Sequence, residues 1–220
     1  MPSPVERLRA LDSCAVSDAL DKLGLSGAVS GLRQLSSTRR ISGRAVTCRL
    51  VVAGEVPASA SAPRHLGTAA IERAGAGDII VVEQRTDVDA AGWGGILSLA
   101  AKLRAIAGVV CDGPVRDVDE AREHDFPIYA RAATPRTARG RIAESATGAP
   151  IQVGEIEVRT GDYVIADASG VVFVAAAEIE RTLDAAEAIA WRERAMAQAL
   201  KAGTAVSQVM GADYEHMLHS

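Results

Sequence analysis

The sequence predicts an α/β sandwich, and three observations carry that expectation. Helical and strand-like patterns alternate before Pro127. Short β-branched runs separated by glycine turns then cluster over 127–174, and the chain returns to a long alanine-rich charged helix over 177–201. No GxGxxG follows a strand and no GxxxxGK[ST] loop occurs, so a doubly wound nucleotide-binding sheet has no support. A chain of 220 residues can bury a sizeable core, and one domain over 1–220 is the expected count.

In chain order, Val5 to Leu23 reads as helix, with Leu8, Leu11, Val16, Leu20 and Leu23 forming a partial apolar stripe. Ser13 is the expected cap of a second helix that Gly24 ends. Residues 25–40 read as a connection, and Arg44 to Val52 as a strand. A loop containing Pro57 and Pro63 precedes a short helix near Thr68 to Ala74. The run IIVVEQ at 79–84 is apolar without alternation over its first four residues, which predicts a strand buried on both faces. After the acidic loop at Asp87 and Asp89, a Gly94-Gly95 turn opens a helix. Its residues Ile96, Leu99, Ala100, Leu103 and Ala107 recur at helical spacing, as if to pack on the core. Gly108 to Cys111 reads as a short buried strand, Asp112-Gly113 as a turn, and a helix starts near Arg116. Further strands are expected at Ile128–Ala130, Ile151–Val153, Ile156–Val158, Tyr163–Asp167 and Val171–Val174, with Gly203 stopping the last helix.

Composition excludes several classes of function. A net charge of −4 and 3% aromatic residues argue against phosphate-backbone binding and base stacking. No 18-residue apolar run and no signal-peptide pattern occurs, so a cytoplasmic protein without membrane contact is expected. Cys14, Cys48 and Cys111 show no metal-ligand spacing and read as buried thiols. His65, His124, His216 and His219 are scattered and read as incidental. Ser98 sits in no nucleophile elbow, and Lys102, formally a Schiff-base candidate, falls beside the apolar stripe.

Chemistry concentrates between Gly92 and Pro127. Gly94-Gly95 at a helix start leaves backbone N–H groups open to an anion, although paired glycines also make plain tight turns. On a helix opening near Arg116, Asp117 and Glu120 share a face while Asp119 points away. Two such carboxylates suit a hard divalent cation. They equally suit a solvated helix start, where acids are favoured by the dipole. Arg116 offers a fork for a carboxylate, or a surface ion pair with Glu120 or Glu123.

The runs Gly92-Trp93-Gly94-Gly95-Ile96-Leu97, GVVCDGPVRDVDE from Gly108 to Glu120, and Phe126-Pro127-Ile128-Tyr129-Ala130 resemble the RraA-like family. Ser17 to Asp21, Ile41 to Thr47, Gly161 to Asp167 and Ser169 to Val172 are similar to its flanking signatures. That family includes the metal-dependent class II 4-hydroxy-4-methyl-2-oxoglutarate/4-carboxy-4-hydroxy-2-oxoadipate aldolases and oxaloacetate decarboxylases. The resemblance implies a compact α/β/β/α sandwich with central mixed sheets, assembled as a homotrimer or dimer of trimers with sites between subunits. It implies that the backbone of Gly94, Gly95, Ile96 and Leu97 holds the carboxylate of a small 2-oxo acid. By the same resemblance Arg116 binds substrate and stabilises enolate charge, and Asp117 and Glu120 hold Mg2+ or Mn2+. A neighbouring subunit's last helix is expected to add an acid, for which Glu193 is the candidate.

One departure stands out. The family's aldolases carry an Asp twenty-one residues before the arginine, holding a metal-bound water, and here that position is Gly95. The sequence fits the family's other pattern, Gly, twenty residues, Arg-Asp, two residues, then an acid. Retro-aldol cleavage needs a base for the 4-hydroxyl, whereas oxaloacetate decarboxylation does not. The glycine is therefore expected to weaken the first activity more than the second. The alternative that the resemblance carries is a regulator that binds and inhibits ribonuclease E.

Overall fold

A computed structural model describes residues 2–55 and 65–211. Pro57, Pro63, His216 and His219 lie outside the described residues. The helical stretch expected over 5–23, with a second helix within it, forms α1 (Pro4–Arg9) and α2 (Ser13–Lys22). Asp12 divides them: its backbone is extended and its carboxylate accepts from Ala15 N at 2.8 Å. Ser13, the expected cap, instead donates its amide and hydroxyl to Asp167. The connection that follows contains two short strands, β1 (Ala28–Val29) and β2 (Arg33–Gln34).

The long β3 (Ile41–Val52) organises what comes next: α3 (Thr68–Arg73), β4 (Ile79–Gln84), α4 (Gly95–Leu103), β5 (Gly108–Val115), α5 (Val118–Glu123) and β6 (Ile128–Ala133). Then come β7 (Ile142–Thr147), β8 (Ile151–Val153), β9 (Ile156–Val158), β10 (Tyr163–Ala166) and β11 (Val171–Val174), and last α6 (Ile179–Lys201) and α7 (Val206–Val209). Strand order is β1-β11-β10-β3-β4-β5-β6-β2, with β7 also on β3 and β8-β9 a separate hairpin. Ile41 to Arg44 of β3 pair antiparallel with β10, and Ala45 to Leu50 pair parallel with β4. One strand thus belongs to two halves of the sheet, which curl to face each other.

Side-chain alternation along the strands then builds the layers. Ile79, Val81, Val110 and Tyr129 face Val164, Val171 and Phe173 between the two halves. On the opposite face of β4 and β5, Ile80, Val82, Val109 and Cys111 pack with residues of α3, α4 and α5. Outside β10 and β11, Tyr163, Ile165, Val172 and Val174 pack with α1, α2 and α6. The architecture is the expected α/β/β/α sandwich around a mixed sheet.

Three further expectations fail. The stripe Ile96, Leu99, Leu103 does not face the core: Ile96 and Leu103 are each 78% exposed, and α4 packs inward through Leu97, Ser98 and Ala101. Periodicity located an apolar face, but the buried face is the one with smaller residues. Asp112-Gly113 is not a turn either, because β5 runs on to Val115 with a register shift between Cys111 and Pro114. There Gly113 admits Gln84, whose Cβ would lie 2.7 Å from a Cβ at that position. Cys14 is exposed rather than buried, whereas Cys48 and Cys111 are buried as expected.

Because Ile80 is fully buried between the sheet and α3–α5, Ile80→Ala should lower unfolding free energy by about 3 kcal/mol. A urea titration reading the shift in midpoint checks this.

Candidate active site

The site forms where the end of β5 meets the start of α4. Gly92 N donates to Pro114 O at 2.9 Å and Arg116 N to Trp93 O at 3.0 Å, zipping the two segments together. Trp93 is buried and donates Nε1–H to Ser98 Oγ at 3.0 Å, and that hydroxyl donates to Gly94 O at 3.0 Å. Ser98 is thereby a lock on the first turn of α4. Asp117, at φ 57° and ψ 39°, turns the chain sharply into α5. Its Oδ2 accepts from Gly95 N at 3.0 Å, so a carboxylate caps a helix that lacks a capping side chain of its own. The ion pair of Arg116 is with Asp117, Nε lying 3.1 and 3.2 Å from the two carboxylate oxygens.

Both glycines leave space that neighbouring side chains use. A Cβ on Gly94 would stand 3.0 Å from Asp117 Oδ2 and 3.3 Å from Arg116 Cγ. A Cβ on Gly95 would stand 1.8 Å from Glu120 Oε2 and 3.1 Å from Asp117 Cβ. The Glu120 carboxylate therefore occupies the space that a side chain at position 95 would need. Asp117, Glu120 and Arg116 thus gather around Gly95: Asp117 accepts from its amide, Arg116 pairs with Asp117, and Glu120 lies over its missing side chain. The amides of Ile96 and Leu97 follow in the same first turn, where the α-helical ladder provides no acceptor.

These groups open into a cleft of about 240 Å³, lined by Trp93, Gly94 to Leu97, Arg116 and Asp117, with His65, Thr137 and Arg139 on its other walls. Sequence reasoning missed the last three. His65 reads as incidental in the sequence, but its segment leads into α3 beside the cleft, with Nδ1 donating to Leu66 O at 3.0 Å. Arg139 belongs to a segment with four arginines in residues 131–141, and that density was the available signal. Lys102 lies elsewhere, with Nζ on Asp125 O at 3.2 Å. Glu193 lies exposed on α6, where partial desolvation and then Asp12 and Asp18 push its carboxyl pKa up. A larger hollow of about 520 Å³ includes Asp112, whose carboxylate is already taken by Arg131 at 2.5 Å and Gly154 N at 2.8 Å.

The sequence profile of the RraA-like family (Aldolase/RraA) matches residues 13–173, which include every residue of the convergence on Gly95. The chain belongs to the RraA-like family. A Halalkalibacterium halodurans relative bearing the name "Putative 4-hydroxy-4-methyl-2-oxoglutarate aldolase" is 30% identical over 83% of this chain and 81% of its own. Legionella pneumophila DlpA is 25% identical over 94% of this chain, which spans only 33% of DlpA's length. Streptomyces coelicolor RraAS2, described as an unusual member of the RNase ES inhibitor RraA protein family, aligns with TM-score 0.74 and 26% identity. That alignment covers 88% of this chain and 96% of RraAS2.

Asp117→Ala removes the acceptor of Gly95 N and places alanine in left-handed backbone, which should destabilise the fold by about 2 kcal/mol. Asp117→Asn tolerates that backbone and should destabilise by about half as much or less. Thermal unfolding of the pair checks the order, and Asn is the cleaner variant for functional tests.

Proposed function

We propose that this chain is a divalent-metal-dependent carbon–carbon lyase that cleaves 2-oxo acids through a pyruvate enolate. It would act as a 4-hydroxy-4-methyl-2-oxoglutarate aldolase, an oxaloacetate decarboxylase, or both. The observation that carries this reading is the convergence of Asp117, Glu120 and Arg116 on Gly95. The donors fit Mg2+ or Mn2+: such ions take one or two carboxylates and complete their shell with water and substrate oxygens. Asp117 and Glu120 would hold the ion. When bound, it supplies a Lewis acid for the 2-oxo group.

The chain's own residues account for the remaining chemistry. Arg116 uses Nε on Asp117, which leaves its terminal nitrogens to stabilise negative charge arising on the 2-oxo oxygen. The start of α4, over Gly94 to Leu97, would favour the substrate carboxylate at the positive end of the helix, through amides other than Gly95 N, which Asp117 holds. In decarboxylation the electron pair of the C3–C4 bond passes into the enolate, CO2 leaves, and C3 is then protonated. Aldol cleavage additionally removes the 4-hydroxyl proton. With no side chain at Gly95, the Glu120 carboxylate that lies over it would position a water for that proton.

The site's surroundings favour an oligomer. Beside it, Ile96 and Leu103 are exposed, and beyond Ala190 the last helix presents Trp191 at 66% exposure. A homotrimer or dimer of trimers would cover these faces and bring a neighbour's α6, with Glu193, toward the cleft. A cytoplasmic location accords with this reading, and no helix among the described residues is long and apolar enough to cross a membrane. The second reading, a ribonuclease E regulator, is favoured by the similarity to RraAS2. An acidic oligomer would engage a basic segment of such a partner by charge.

With Mg2+ or Mn2+, the purified protein should release pyruvate from oxaloacetate, and a chelator should abolish the release above background. Equal rates with and without chelator would end the metal reading. Arg116→Ala should lower kcat by roughly 100- to 1,000-fold, the scale of losing one oxyanion donor. Absence of turnover together with salt-sensitive capture of ribonuclease E would favour the regulator.

A further inference from the structure

We propose that Arg139 is the specificity-determining residue of the cleft, recognising a second carboxylate on the 2-oxo acid, remote from its 2-oxo head. The proposal rests on the lyase reading for the identity of that head, but its own observations are separate. Residues 131–141 contain four arginines, and three of their side chains are committed. Arg131 pairs with Asp112 at 2.5 Å, Arg136 with Asp89 at 3.1 Å, and Arg141 Nη1 donates to Thr137 O at 3.1 Å. Among the described residues the Arg139 guanidinium has no such partner, and it lines the same cleft as Arg116.

The segment carrying Arg139 is anchored. Thr134 N donates to Val115 O at 2.8 Å, one residue before Arg116, and Ala91 N donates to Arg136 O at 3.0 Å, shortly before Gly94. Thr137 Oγ1 accepts from Arg139 N at 3.3 Å, and Ile142 N donates to Ala138 O at 3.0 Å. The loop is thus tied to both strands of backbone that build the head-group site, so Arg139 is carried on the same framework as Arg116.

Charge then selects the ligand class. If a divalent ion offsets Asp117 and Glu120, two guanidiniums and the positive end of α4 remain. A monoanionic 2-oxo acid matches one guanidinium and leaves the other unpaired, whereas a dianion matches both. The cleft of about 240 Å³ lies below the ~300–1,000 Å³ range of drug-sized ligand sites, which suits a small diacid. Arg139 is exposed in the free protein, so its pairing gains strength only as a ligand covers it and the fork binds in bidentate fashion.

The test is calorimetric titration in Mg2+ with two uncleaved probes, 2-oxoglutarate and 2-oxopentanoate, which differ in the distal carboxylate. The wild type should bind 2-oxoglutarate at least about tenfold more tightly, the scale of a charge-assisted pair. Arg139→Ala should abolish the preference by weakening 2-oxoglutarate alone, and Arg139→Lys should keep part of it. Oxalate, which engages only the head-group site, should bind all three proteins alike and report an intact fold. Equal wild-type affinity for the two probes, binding of neither, or equal loss of both in Arg139→Ala overturns the proposal. Selective binding without pyruvate release from either oxaloacetate or 4-hydroxy-4-methyl-2-oxoglutarate would sink the lyase reading and leave the assignment of Arg139 standing.

Discussion

The hydrogen bond from the Gly95 amide to the Asp117 carboxylate is the constraint on which the site depends. It joins the first turn of α4 to the turn after β5, at a position where a Cβ would stand 3.1 Å from Asp117 Cβ. Asp117 reaches it from left-handed backbone, a conformation that favours Asp, Asn or Gly over most residues. Arg116 is held on the same carboxylate, and Glu120 fills the space over Gly95. A change at any of these positions therefore disturbs the others, and their effects should not add.

The frame behind this convergence is the division of β3 between two sheet partners. Pairing with β10 at one end and β4 at the other lets one sheet curl into two facing layers. The parallel strands β4, β5 and β6 then point their C-terminal ends toward the same region, where open α/β sheets place their ligands. The cleft uses the end of β5 and the loop after β6, whose tethers bring Thr137 and Arg139 to it.

Much of this was legible in the residues alone. The strands β4, β8, β9 and β11 fall where β-branched runs bounded by turn residues put them. The Gly94-Gly95 and Arg116 to Glu120 motifs were legible because they are local, and the structure brings them together. Position 95 was recognised as a departure, but only three-dimensional packing reveals that the Glu120 carboxylate takes up the vacated space. The orientation of α4 was misread because an apolar stripe has the same period whether it meets its own core or lies open on the surface. β7, with the polar run Glu144 and Ser145 in its centre, lacks a clean alternation. His65 and Arg139 enter the cleft through contacts distant in sequence, which no spacing rule encodes.

The central claim is that Asp117 and Glu120 hold a divalent ion beside the Gly95 amide. Anomalous diffraction from crystals soaked with Mn2+ and oxalate tests it most directly. The account predicts one strong manganese peak flanked by both carboxylates, with oxalate between it and the first turn of α4. A cleft with neither manganese nor oxalate, and Glu120 turned out to solvent, would contradict it.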